Sequence, residues 1–378
     1  MSEYRICSRC VMDTSDPDIS FEADGTCWHC NQSIRTSNTK MIVDPKKREE
    51  ALSELVTKIK KRNQDKPYDC VIGVSGGVDS TYLAYYVHQL GLRPLAIHVD
   101  NGWNTQLSLD NIAKLMKKIN VELHTQVLDW DEFKNLQLAF LRASVPDLEI
   151  PTDHALIAYL RHTTIKNDLK YLILGTNLRT ESILPRAWAQ GHSDWRYIRS
   201  LNQRFGSGAL TTFPHTTYCE AVDQEFNGQI TLVSLLDYLD YSKTEAIKTL
   251  EKDLGWEYYG GKHYESTYTR FIQGHILPVK FNFDKRRAHL SCLIVSGEIT
   301  REQALEELKK TDYPEEVMMA DRKEVLEKLG LSEDEFNHLM SLPPKRFDDY
   351  PSYASLNWLG RLGLRLYKSF KKRKARFL

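Results

Sequence analysis

Tyr68-Asp69-Cys70-Val71-Ile72-Gly73-Val74-Ser75-Gly76-Gly77-Val78-Asp79-Ser80 is the stretch that decides the fold. A short apolar run reads as a strand, the glycines as a tight turn, and the following 81–90 as a helix. A strand, a glycine turn and a helix N-terminus make an anion site, because unpaired backbone N–H groups and the positive end of the helix dipole converge there. Gly76 and Gly77 let the backbone come close to the anion, and Ser75 and Ser80 add hydroxyl donors. No Gly-Lys-Ser/Thr follows, so the loop is not a Walker A loop. An ordinary glycine turn is the plainer reading, and the full SGGVDS pattern in this setting outweighs it.

Beyond the loop, short apolar runs at 95–99, 121–128, 171–174 and 229–235 alternate with helical patterns at 107–119, 153–170 and 243–252. Such alternation predicts an α/β fold with a doubly wound parallel sheet, whose ligands lie at the carboxyl ends of the strands. The SGGVDS loop and Asp100-Asn101-Gly102-Trp103 both fall at such ends.

Cys7-Ser8-Arg9-Cys10 and Cys27-Trp28-His29-Cys30 form two CxxC pairs. Each places two thiolates on one turn, and the two turns complete a tetrahedral Zn²⁺ site. A closed Cys₄ set leaves no open coordination position, so the site reads as structural; His29 reads as a surface residue. The expected organisation is a zinc ribbon at 1–40, an ATP-using domain at 41–255, and a substrate-binding region with C-terminal helices at 256–378. Between Pro185 and Tyr218 periodicity lapses, and a plain connection and a substrate-facing insertion stand even.

Composition narrows the class. With 51 basic and 51 acidic residues the 378-residue chain has no global electrostatic footprint for nucleic acid. Neither a leader-like start nor an apolar run of roughly 18 residues is visible, so a cytoplasmic protein is expected. A basic tail from Arg361 to Arg376 reads first as a packed helix with a solvated end, and second as a peripheral contact for anionic lipid or an acidic partner.

The SGGVDS loop resembles the PP-loop of the ATP pyrophosphatases, which split ATP between its α and β phosphates. Together with the cysteine pairs, HVDNGWN, ILGTNLRTES, LLDYLDYSK, YGGKHYES and KFNFDKRRAHLS, it resembles the WbpG-type N-acetyl sugar amidotransferases across nearly the whole chain. The mixed 258–291 region also reads, on its residues, as a site for a multiply charged, partly aromatic ligand, and fits neither helix nor strand period.

That resemblance implies conversion of the acetamido group of a nucleotide-activated N-acetyl sugar to acetamidino, in bacterial surface-polysaccharide (LPS O-antigen) biosynthesis. ATP activates the amide oxygen, and ammonia comes from a glutaminase–synthase pair resembling the histidine-biosynthesis proteins. Ser75, Gly76, Gly77, Asp79 and Ser80 are expected at the pyrophosphate, and Asp100 and Gly175 at the nucleotide. Lys243, Arg270 and Lys280 are expected at phosphates. Glu181 is expected to hold Mg²⁺, by likeness to the NAD synthetases, and His263 and Glu265 to stand near the ammonia. Cys70, Cys219 and Cys292 lack the setting of a glutaminase nucleophile. Two rivals are a tRNA-thiolating PP-loop enzyme, opposed by the balanced charge, and a zinc-stabilised scaffold, opposed by the intact loop.

Overall fold

The computed structural model describes residues 3–261, 264–310 and 313–353. Its centre is a five-stranded parallel sheet in the order β3-β2-β1-β4-β5. The strands are β1 Cys70–Gly73, β2 Pro94–Asp100, β3 Leu123–Val127, β4 Tyr171–Leu174 and β5 Thr231–Ser234. All five coincide with the runs expected from the sequence. Chain order reverses between β1 and β4, so the crevice for a ligand opens at their carboxyl ends.

The helices of the first half are α1 Trp28–Lys40, α2 Pro45–Arg62, α3 Val78–Gln89, α4 Gln106–Ile119, α5 Trp130–Ala143 and α6 Ile150–Lys166. Then come α7 Leu178–Glu181, α8 Trp195–Phe205, α9 Tyr218–Phe226, α10 Lys243–Leu254 and α11 Thr267–Phe271. After a π-helix at Ile272–Phe281 follow α12 Lys285–Val295, α13 Arg301–Lys309, α14 Glu315–Leu329 and α15 Glu333–Ser341.

Strand alternation sorts side chains between two layers. Cys70 and Ile72 pack with Ala96, Leu83, Leu115 and Leu250 on the face covered by α3, α4 and α10. Val71, Leu95 and Ile97 pack with Leu160 of α6 on the other face. A third cluster joins the cysteine loops to α5, α8, α12 and the last helices, including Met12, Phe133, Phe140, Ile198, Cys292 and Phe336.

The stretch at 284–291 is helical, against the expectation. Asp284 caps α12 by accepting the Arg286 N–H at 3.0 Å. The helix buries only Ala288, Ser291 and Cys292, a stripe too small and polar to show as hydrophobic periodicity. The π-helix before it buries Ile272, Ile276 and Leu277, a spacing that follows its wider turn. The 185–218 stretch is not a plain connection either, since α8 lies within it and buries Tyr197, Ile198 and Leu201. Among the described residues no helix is long and apolar enough to cross a membrane. The tail from Arg361 lies outside the described residues.

Candidate active site and metal centre

β1 ends at Gly73, and the chain turns through Ser75-Gly76-Gly77 into α3, whose N-cap is Gly77 with no side-chain cap. Gly76 has φ +83°, and a Cβ there would stand 2.8 Å from the Ser108 carbonyl, so only glycine fits. Ser75 Oγ lies 2.9 Å from Ser80 Oγ and accepts the Gly77 N–H at 3.3 Å. Ser80 Oγ in turn accepts the Ser75 N–H at 3.2 Å. The loop is thus held open by its own hydroxyls, with glycine at the two positions where a side chain would fill the cradle.

Several other elements close on this cradle. Gly175, after β4, stands where a Cβ would be 3.2 Å from the Ser80 nitrogen. Tyr241, just before α10, donates its hydroxyl to Asp79 Oδ1. Burial and the Asp79 charge drive the Tyr241 phenol far up, so it stays a neutral donor. Glu181 lies close enough for its charge to push the same way at Tyr241 and at Asp237. Tyr259 accepts the Val78 N–H at 3.1 Å, and Glu265 Oε1 would be 3.0 Å from a Cβ on Gly77. The Glu265 backbone is fixed beside the second strand-end loop: Thr105 N–H donates to its carbonyl at 2.9 Å, and Ser266 bridges Asn104.

Asp100 ends β2 half-buried and shapes that loop, accepting from Gly102 N–H at 2.8 Å and Asn104 Nδ2 at 3.2 Å. His98, on the same strand face, bonds the Val74 carbonyl through Nδ1 at 2.8 Å and meets Asn104 through Nε2 at 3.2 Å. Tyr241, Tyr259 and His98 were not singled out from the sequence. A histidine two residues before Asp100 in an otherwise apolar strand was the available signal for one of them.

The structure brings Ser75, Gly76, Gly77, Asp79, Ser80, Gly175, Glu181 and Glu265 together, with Lys243 opening α10 two residues beyond Tyr241. It does not bring Arg270 or Lys280. Arg270 makes a two-pronged pair with Asp321, at 2.6 and 2.7 Å, which neutralises it. Lys280 donates to the Leu339 carbonyl, and burial pulls its amine down to about 8. Both cations are engaged on the C-terminal helices. His263 lies outside the described residues.

At the other end, the Sγ atoms of Cys7, Cys10, Cys27 and Cys30 all lie within 4.8 Å of one another, all buried. Closest approaches of 3.8 Å (Cys7–Cys30) and 3.6 Å (Cys10–Cys27) match the ~3.8 Å edge expected of a tetrahedron with Zn–S bonds near 2.3 Å. Cys7 Sγ accepts the N–H groups of Arg9, Cys10 and Cys27 at 3.4, 3.4 and 3.1 Å, donors that favour a thiolate. The donor set fits zinc in a closed structural site. His29 is no surface residue: its Nε2 lies 2.6 Å from Asp16 Oδ2, with a side chain 10 % exposed.

The comparisons with known proteins agree with this picture. Residues 265–363 match the family described as LPS biosynthesis protein WbpG-like, C-terminal domain, and residues 69–166 match queuosine biosynthesis protein QueC. No curated protein matches. Among solved structures, NMN synthetase from Francisella tularensis is 17% identical, with 57% of this chain and 94% of that one covered, at a TM-score of 0.28. NH3-dependent NAD synthetase from Campylobacter jejuni is 14% identical, with 71% and 98% covered, at 0.31. Scores that low carry no argument here. The two family matches and the loop geometry do: the chain pairs a QueC-like PP-loop segment with a WbpG-like C-terminal segment, which supports a WbpG-type PP-loop ATP pyrophosphatase.

Proposed function

We propose that this PP-loop enzyme converts the acetamido group of a nucleotide-activated N-acetyl sugar into an acetamidino group, in the building of a bacterial surface polysaccharide. The observation that carries the reading is the meeting of the two matched segments: Glu265, at the start of the WbpG-like segment, sits against Gly77 of the PP-loop. An amide is a poor electrophile, and its oxygen is a poor leaving group. Attack by that oxygen on the α-phosphorus of ATP releases pyrophosphate and leaves the oxygen in an adenylate. Ammonia then adds at the amide carbon, and AMP leaves with the oxygen.

In this reading Ser75, Gly76, Gly77 and Ser80 receive the pyrophosphate at the α3 N-terminus, and Lys243 adds a positive charge. Positioning and charge stabilisation are the work required of them. Asp79 and Glu181 are the carboxylates suited to a Mg²⁺ ion, which would neutralise phosphate charge when bound. Asp100 and Gly175 border the nucleotide. Nitrogen comes from a partner glutaminase pair.

The test is direct. With ammonium salt and a panel of nucleotide-linked N-acetyl sugars, the chain alone releases AMP and pyrophosphate and gives a product lighter by about one mass unit, oxygen having been exchanged for NH. Asp79→Ala abolishes this with the fold intact. Glutamine alone gives nothing. ADP as the main product, or AMP release with a tRNA and no sugar, refutes the reading.

A further inference from the structure

His98 is a polar interruption in an apolar strand. It follows Leu95, Ala96 and Ile97 on β2, and alternation turns it to the face on which Ala96 packs with Cys70 and Ile72. At 4% exposure, an aliphatic side chain would fill the place without the cost of burying two ring nitrogens. Both nitrogens are used, and they hold two different loops.

Nδ1 stands 2.8 Å from the Val74 carbonyl. A carbonyl only accepts, so the ring proton is on Nδ1 and Nε2 keeps its lone pair. Val74 is the last residue before the SGG turn, and its own N–H donates to the Ile97 carbonyl at 2.8 Å. Nε2 stands 3.2 Å from Asn104 Nδ2, which also donates to Asp100 Oδ1 at 3.2 Å. The Asp100 carboxylate only accepts, so the Asn104 amide turns its nitrogen to this side. Its second N–H meets the imidazole lone pair.

Asn104 is the middle of a short antiparallel strap. Thr105 N–H donates to the Glu265 carbonyl at 2.9 Å, Thr267 N–H donates to the Trp103 carbonyl at 3.0 Å, and Asn104 faces Ser266 between them. Beyond the strap Thr105 caps α4 by accepting the Ser108 N–H at 3.3 Å, and the Ser108 carbonyl walls Gly76. Glu265 Oε1 stands against Gly77. These contacts close a circuit from Val74 through the PP-loop, Glu265, the strap and His98 back to Val74.

We infer that His98 is a positioning residue that sets the PP-loop and the WbpG-like segment in register with each other. It acts through Val74 and Asn104, and is assigned no contact with the reacting atoms. Its rigid ring fixes the separation of two segments far apart in sequence, one carrying the anion cradle and the other Glu265. A misplacement of about 1 Å between such groups can cost about 100-fold in rate. The inference rests on the PP-loop as the ATP site and needs no particular sugar.

The two contacts can be removed separately. In His98→Asn the amide nitrogen takes the place of Nδ1 and keeps the Val74 contact, while nothing reaches Asn104. In Asn104→Ala the ring stays and only the contact at Nε2 is lost, which keeps the test open should the buried ring be essential for folding. Both variants are expected to bind ATP within about threefold of wild type by calorimetry, because the PP-loop is still tied to β2. Both should raise amide hydrogen exchange at 103–105 and 265–267 and leave 70–80 unchanged. With ammonium salt and the panel of nucleotide-linked sugars, kcat for AMP release should fall about 10–100-fold in each. The double variant should fall no further than either single one. His98→Phe drops both contacts and should also weaken ATP binding by about tenfold.

Lower thermal stability with kcat, ATP affinity and exchange at 265–267 all unchanged would make His98 a filler of space and overturn the proposal. So would additive losses in the double variant, or a loss of ATP binding in His98→Asn equal to that in His98→Phe. If no sugar in the panel supports turnover in wild type, the amidation reading fails on its own. Calorimetry and hydrogen exchange then still decide the role of His98.

Discussion

At the scale of single residues, His154 shows how hydrogen bonding fixes a protonation state. Its Nδ1–H donates to the His192 carbonyl at 2.7 Å, so Nε2 keeps a lone pair and accepts the Thr216 N–H at 3.3 Å. A second ring proton would point at another donor. Stacking on Trp195 and Phe213 removes the ring from water. Burial, before any other cause, pulls its pKa from 6.5 to about 4. The unfolded chain therefore binds the proton first as pH falls. The contribution is fully present above 6.5 and is lost on the way down to about 4, where the loss reaches roughly 3 kcal/mol. The measurement is a difference between wild type and a variant that lacks the imidazole. Denaturant melts of wild type and His154→Asn, taken from pH 8 to pH 4, are expected to converge as the pH falls. A constant gap would mean that the ring is not held neutral.

Elements decide which charges are available for chemistry. α11 and α14 meet through Arg270 and Asp321, with Asp321 also accepting the Tyr313 hydroxyl at 2.7 Å. The Asp321 side chain is 5% exposed, so removing its partner leaves a buried charge uncompensated. Arg270→Ala is expected to cost about 3–5 kcal/mol in thermal or denaturant unfolding, whereas Arg270→Met with Asp321→Leu recovers most of it. Unchanged stability with weakened ATP binding would return Arg270 to the phosphates. Sequence alone could not decide this, because an arginine beside a helix of unknown partner carries no direction. The strands were legible because each is a short apolar run bounded by turns, and the PP-loop because glycine and serine do one job there. α12 and the π-helix were not. Their buried stripes are short, and Lys285, Arg286 and Arg287 owe their place to Glu149, Asp284 and Asp13, which lie mostly far off in sequence.

For the molecule as a whole, the cysteine site holds more than its own loops. Arg301 donates to the carbonyls of Cys7 and Cys10 at 3.0–3.2 Å, and Arg287 to that of Val11 at 2.9 Å. Ser291 Oγ accepts the Val11 N–H at 3.2 Å, and Arg287 pairs with buried Asp13 at 3.0 Å. These are the groups of α12 and α13 that reach back to the chain start, and Cys292 shares the same hydrophobic cluster as the four cysteines. A Cys₄ zinc centre carries net negative charge, which two nearby guanidinium groups offset. Its binding energy is therefore coupled to the C-terminal helices as well as to the ribbon. Metal analysis should find one zinc per chain. Chelation, or Cys27→Ser, should raise amide hydrogen exchange across 7–30 together with 285–309. The sheet layer built on β1 and α3 has its own cluster and should stay protected. Exchange confined to 7–30 would show the cysteine module to be independent of the helices it touches.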